Sequence, residues 1–182
     1  MAPPVRTPRQ AWIDAGLSVL EHKGPDAVRV EALAARLGVT RGGFYRQFRG
    51  RDELLGAMLD EWERRAVDDV QEQVEREGGD PKYKIRRAGT LTFAEDLTHL
   101  DLAIRAWARH DPEVAARLRK VDNARMEYLR TLLTSSGVAP QDVEAVALLA
   151  FSVVIANHLI KADHPGHSRG EVLDRAARML FD

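Results

Sequence analysis

The sequence holds no cysteine among its 182 residues. That excludes disulfides, thiol nucleophiles and thiolate metal sites together. It fits a reducing compartment, so a cytoplasmic location is expected. Aromatic residues are scarce, at 6%. Long apolar runs are missing as well. The longest, Val143 to Ala156, is broken by Glu144 and Ser152; it is too short to span a bilayer and reads as a buried helix. The opening MAPPVRTPRQ has no apolar signal core. No strand alternation, internal repeat, low-complexity tract, Gly-rich phosphate loop or nucleophile motif is found. Neither sign of charge dominates, because the net charge is only −1.

That balance hides a division. Residues 1–51 carry nine Lys and Arg against four Asp and Glu, a surplus of +5, and the remainder carries −6. A small basic segment on an acidic body suggests a nucleic-acid-facing piece on a carrier. Hydrophobic residues make up 45% of the chain, enough for a sizeable core in one large domain or two small ones.

The periodicity is helical throughout. The first helix opens at TPRQ, with Thr7 as N-cap, Pro8 in the first position and Gln10 completing a capping box. Trp12, Ile13, Gly16, Leu17 and Leu20 form its apolar stripe, and Gly24 with Pro25 ends it. A short helix spans about Val30 to Leu37 and stops at Gly38. Thr40 caps another two residues later, so two helices meet at a tight corner. A long helix follows from about Arg51 to Glu75, with Leu55, Met58, Trp62, Ala66, Val70 and Val74 along one side. GGDP at 78–81 breaks it. Three helices fit between 81 and 134, with Asp111 capping the third at Pro112. An apolar helix runs from about Gln141 to Lys161. Ser168 and Glu171 form a capping box for the last. The expected class is all-α. Residues 1–50 are expected to form a helix-turn-helix DNA-binding domain. Residues 51–182 are expected to form a helical ligand-binding and dimerisation domain, joined to the first through the 51–76 helix.

The corner poses a question. LGVTRGGFYRQF places Gly42 and Gly43 side by side in a helix, at about 1 kcal/mol each relative to Ala. A helix-turn-helix answers it, since its second helix lies in the DNA major groove. Glycines in its first turn let backbone N–H groups approach a phosphate. Arg41 and Arg46 reach base edges or backbone, and the Tyr45 hydroxyl can bond a phosphate. Phe44 and Phe48, four apart, share the inward face.

AVRVEALAARLGVTRGGFYRQFRGRDELL resembles the N-terminal DNA-binding region of TetR-family (tetracycline-repressor-like) transcriptional regulators. The matching features are the A-x-x-L-G-V-T corner, the small residues after it, FY-x-x-F, and R-D-E-L-L opening the fourth helix. The likeness covers roughly residues 7–62; the rest agrees in length and helix order. It implies a nine-helix fold, a homodimer, and binding of a double-stranded operator relieved by a small ligand. It places Thr40, Arg41, Gly42, Gly43, Tyr45 and Arg46 at DNA-contacting positions, and Arg51 where a cation touches phosphate. Gln47 stands where the family often has His, Gly43 where Ser, Thr or Ala is common, and Gly50 where a capping residue is usual.

In the second half, Phe93, His99, Leu100, Ile104, Trp107, Met126 and Phe151 are expected to line a mostly apolar cavity for a small, lipophilic effector. Val143, Ala147, Ala150 and Val154, with Leu173, Ala177 and Leu180, are expected at a two-fold four-helix interface. Leu148, Leu149, Ser152 and Ile155 lie on other sides of the same helix. One set can pack on the chain's own core and the other on a partner. His158, His164 and His167 with Asp163 read as a polar loop rather than a metal site. No cofactor, metal, membrane partner or enzymatic role is expected. Two other classes stay open: an effector-independent architectural DNA-binding protein, and a helical-bundle enzyme, against which the lack of a convergent catalytic set counts.

Overall fold

In the computed structural model, residues 7–92 and 94–181 are described, except for the side chains of Glu95 and Asp96. The described residues form nine α-helices and no strand: α1 Arg9–Lys23, α2 Val30–Leu37, α3 Arg41–Tyr45, α4 from Arg51 to Glu77, α5 Pro81–Thr92, α6 Glu95–Ala108, α7 Pro112–Ser135, α8 Val143–Leu159 and α9 Arg169–Phe181. A 3-10 turn, Pro25–Ala27, precedes α2. None of the helices is long and apolar enough to cross a membrane, among the described residues. The chain divides into two compact units. One comprises the described residues up to Ala66 with Glu95–Lys120, the other Val67–Ala94 with the described part of 121–182.

In the first unit α1 is the central helix. It packs against α2, the start of α4, and α6. Contact on several sides explains why Trp12, Ile13, Ala15, Gly16, Leu17, Val19 and Leu20 are all buried, more than a single stripe would give. Gly16 faces α4: a Cβ there would lie 2.6 Å from Met58 Sδ. The expected start of α1 needs correction. Pro8 is the N-cap and no side chain bonds the free N–H groups there. Gln10 instead donates to Asp14 one turn on, at 3.2 Å.

The long helix α4 runs two residues beyond the expected end and is not uniform. Arg51–Glu63 and Asp69–Glu77 are joined by a π-helical turn at Arg64–Asp68, within which the division between the units falls. Its six stripe residues, Leu55 to Val74, are all buried. Arg117 of α7 donates to Glu63, Asp60 and the Gly56 carbonyl on the first part of α4.

In the second unit the last part of α4 packs on α5, and α8 on α9. Ile85, Leu132, Leu133, Val143 and Ala147 form its core, with Met126, Tyr128 and Phe181 packed on it. α8 is shorter than expected at both ends. Its exit is held by Arg169, which donates to Asn157 Oδ1 at 2.6 Å and to the Asn157 and Ile160 carbonyls at 2.8 and 2.5 Å. These bonds satisfy carbonyls that a helix end leaves open. The capping box of α9 forms in both directions, Ser168 N to Glu171 Oε2 at 2.7 Å and Glu171 N to Ser168 Oγ at 3.2 Å. Asp111 caps α7 by accepting from the Glu113 and Val114 N–H groups.

Candidate nucleic-acid interface

The corner between α2 and α3 is set by Gly38, whose φ of 66° and ψ of 31° lie in the left-handed region. Gly38 N–H bonds the Ala35 carbonyl and Val39 N–H the Ala34 carbonyl, at 3.2 and 3.0 Å. This is the paired closure by which a glycine ends a helix without steric cost. Thr40 then precedes α3 in extended conformation, though its side chain makes no cap bond.

With five residues, Arg41–Tyr45, α3 is far too short to be stable alone. Its position comes from aromatic packing. Phe44 is fully buried and meets Trp12 of α1 edge-on, centroids 5.3 Å apart. Phe48 stacks on Phe44 at 5.2 Å, and the Arg9 guanidinium covers Phe48 at 4.6 Å. Such pairs add about 0.5–1.5 kcal/mol each beyond burial. The scarce aromatics therefore hold α3 on α1, and what turns outward is polar. Tyr45 is 60% exposed, and Thr40, Arg41, Gly42 and Arg46 are exposed.

Three expected contact residues have other neighbours. Gly43 points inward, its Cβ direction meeting only Trp12 Cζ2 at 3.6 Å, whereas Gly42 meets only Thr40 Oγ1 at 3.7 Å. Gln47, half-buried, donates to the Thr7 carbonyl at 3.4 Å. Arg51, part-buried, donates through Nε to the Val28 carbonyl at 2.8 Å and through Nη2 to the Pro25 carbonyl at 2.6 Å. It clamps the start of α4 to the turn before α2. No side chain caps α4 at Gly50; Glu53 instead accepts from Arg49 N, before the helix, at 2.8 Å.

One residue on this face escaped the sequence reading. Glu31, on the first turn of α2, lies 3.2 Å from Arg41 Nη1. Its carboxyl is held below the usual carboxylate range, first by its own backbone N–H and then by Arg41. Ten residues separate the pair, so helical spacing could not reveal it.

The aromatic anchor thus holds a short helix whose outward side chains are Arg41, Tyr45 and Arg46. Residues 13–58 match the model of the bacterial regulatory proteins of the tetR family. The N-terminal region is that of the TetR family. The TetR-like fold extends over the whole chain. A transcriptional regulator from Rhodococcus sp. Rha1 is similar with a TM-score of 0.72 and 22% identity, over 96% of this chain and 94% of that one. A TetR/AcrR-family regulator from Thermobifida fusca YX-ER1 gives 0.67 and 19%, over 96% of each chain. A transcriptional regulator from Saccharomonospora viridis, solved in complex with choline, gives 0.75 and 15%, over 94% and 92%. At these identities the likeness is one of fold. No curated protein matches the sequence. The chain thus has the fold of a TetR-family helix-turn-helix transcriptional regulator.

The effector and interface residues fall as follows. Phe93 lies outside the described residues. On α6 of the first unit, Leu100 and Ile104 are buried, Trp107 is half-buried and His99 is exposed, 3.5 Å from Glu21. In the second unit Met126 packs on the core and Phe151 is half-buried. Val143, Ala147 and Ala150, expected at the interface, are 8%, 0% and 8% exposed. Ile85, Leu132 and Leu133 already share the core with Val143 and Ala147. Covered side chains offer a second copy no surface, so these three belong to the core. Val154, Leu173, Ala177 and Leu180 keep partial exposure. The large aliphatic residues standing out are Leu148 at 60%, Leu149 at 54%, Leu159 at 62%, Ile160 at 51% and Met179 at 81%. Among the described residues no three His, Asp or Glu are grouped to hold a metal.

Proposed function

We propose that the protein is a homodimeric transcriptional repressor that binds a palindromic operator and is released by a small, mostly apolar ligand. The observation that carries the DNA-binding part is the aromatic anchoring of α3, which leaves Arg41, Tyr45 and Arg46 on one outward surface of a basic segment. Arg41 and Arg46 serve base edges or backbone, and Tyr45 positions the helix on a phosphate. Thr40 and Gly42 belong to the same surface. Gly43, Gln47 and Arg51 support it from behind.

The dimer is the reading that covers the exposed apolar residues. Leu148, Ser152, Ile155 and Leu159 follow i, i+4, i+7, i+11 spacing on α8, and Met179 stands out on α9, which packs on α8. A two-fold four-helix contact through α8 and α9 buries them and matches the symmetry of a palindrome. The effector reading rests on the apolar residues of α6, among them the half-buried Trp107. The choline-bound neighbour supports a small molecule in a protein of this fold.

Selection from a randomised duplex library tests the reading. The enriched sequences should contain two inverted half-sites about 34–36 Å apart, or farther in phase with the helical repeat. Arg41→Ala should weaken the enriched duplex more than an unrelated one. Tyr45→Phe should weaken both about equally. Failure of both variants to alter binding removes α3 from the groove.

A further inference from the structure

We infer that Glu31 is a positioning residue that directs Arg41 toward base edges and away from phosphates. The inference rests on the reading of α3 as the groove-facing helix. Its basis is the placement of the Glu31 carboxylate 3.2 Å from Arg41 Nη1, across the Gly38 corner, with side-chain exposures of 65% and 67%.

An acidic residue on a surface meant for DNA is a cost, because it repels the phosphates that supply most non-specific affinity. Glu31 suits the positive end of α2, but that alone does not require its carboxylate to meet the first residue of α3. The pairing changes the chemistry Arg41 presents. A guanidinium has five N–H donors in a rigid fork, and the bond to Glu31 runs from one of its nitrogens. The remaining edges stay free for a bidentate contact to guanine O6 and N7. The charge, by contrast, is partly offset. A base edge asks for donors in a fixed geometry and loses less when the arginine's charge is offset. A phosphate asks for charge and is served worse. The tether also restrains a flexible side chain before DNA arrives, which lowers the ordering cost of the base contact. Because the pair is exposed it is weak and opens readily. It biases Arg41 without locking it.

The experiment compares the wild type, Glu31→Gln, Arg41→Ala and the double variant. The probes are the duplex enriched from a random library by the wild type and a shuffled duplex of the same composition. Affinity is read by anisotropy between about 50 and 200 mM salt. Glu31→Gln should tighten binding to the shuffled duplex and steepen its salt dependence by about 0.9 per chain, because Arg41 now releases a counterion of its own. The enriched duplex should gain less, so the specificity ratio should fall on the order of 10-fold, the scale of one lost directed contact. In the Arg41→Ala background the same change should leave that ratio unaltered, since nothing remains to be aimed.

An unchanged ratio in Glu31→Gln overturns the inference and leaves DNA binding standing. So does an equal fall in the Arg41→Ala background, which would make Glu31 a bulk charge only. A wild type that binds DNA without enriching any sequence also overturns it, since there is then no base reading to direct. A wild type that binds no duplex overturns the DNA-binding reading and this inference with it.

Discussion

The two glycines of α3 separate once their surroundings are known. Gly43 faces the indole of Trp12, and a methyl there makes an ordinary contact at 3.6 Å. Gly43→Ala should therefore stabilise the protein by up to about 1 kcal/mol and leave DNA affinity nearly unchanged. Gly42 is exposed on the outer side, so Gly42→Ala should stabilise comparably but weaken DNA binding, by denying the backbone its close approach. Thermal melts beside duplex titrations check both. Equal effects of the two changes on affinity would show that inward and outward positions do not matter here. Gly16 behaves in the opposite sense. Alanine is the better helix former, yet its Cβ would fall 2.6 Å from the sulfur of fully buried Met58. Gly16→Ala should cost about 1–3 kcal/mol by overpacking the contact of α1 with α4, read as a lower denaturant midpoint.

At the scale of elements, the start of α4 is tied to the turn before α2 by one side chain. Arg51 donates to two backbone carbonyls, Val28 and Pro25. Hydrogen bonds from a charged donor contribute about 1.5–3 kcal/mol, so Arg51→Ala should lower stability by about 2 kcal/mol even without DNA. A role confined to phosphate contact predicts an unchanged melt. In the second unit, the end of α4 is joined to α5 by Glu77, which accepts from Arg87 Nε and Nη2 at 2.7 and 2.8 Å. Arg87 first, then Gln73, holds the Glu77 carboxyl down from 4.5 to about 2. A depressed carboxyl contributes stability that is complete above its unfolded value and is lost as pH falls through the folded one. The stabilisation should thus be present above about pH 5 and vanish toward pH 2. Glu77→Gln should flatten the melting temperature against pH in that window and leave the alkaline side alone.

For the whole molecule, α8 supplies a test of which apolar residues meet a partner. Leu148 is 60% exposed and Ala147 fully buried, though adjacent in the chain. Leu148→Arg should leave the fold intact and produce monomers in sedimentation, with weaker grip on a two-half-site duplex. Ala147→Arg should instead unfold the second unit, because an unpaired charge in a core costs about 4 kcal/mol or more. A Leu148→Arg protein that remains dimeric would place the two-fold contact elsewhere.

The sequence by itself determined the all-helical class, most helix limits, the α2–α3 corner and the outward residues of α3. These depend on glycine conformation, capping chemistry and apolar spacing, which act over a few residues. Gly38, the Ser168–Glu171 box and the Leu55–Val74 stripe were legible for that reason. Tertiary structure alone decided which of two apolar stripes on α8 faces the core, because both have helical spacing and only Ile85, Leu132 and Leu133 distinguish them. It turned Gly43 toward Trp12, closed Arg51 on two carbonyls and brought Glu31 to Arg41. Each of these depends on residues distant in the chain meeting in space, which local periodicity does not encode.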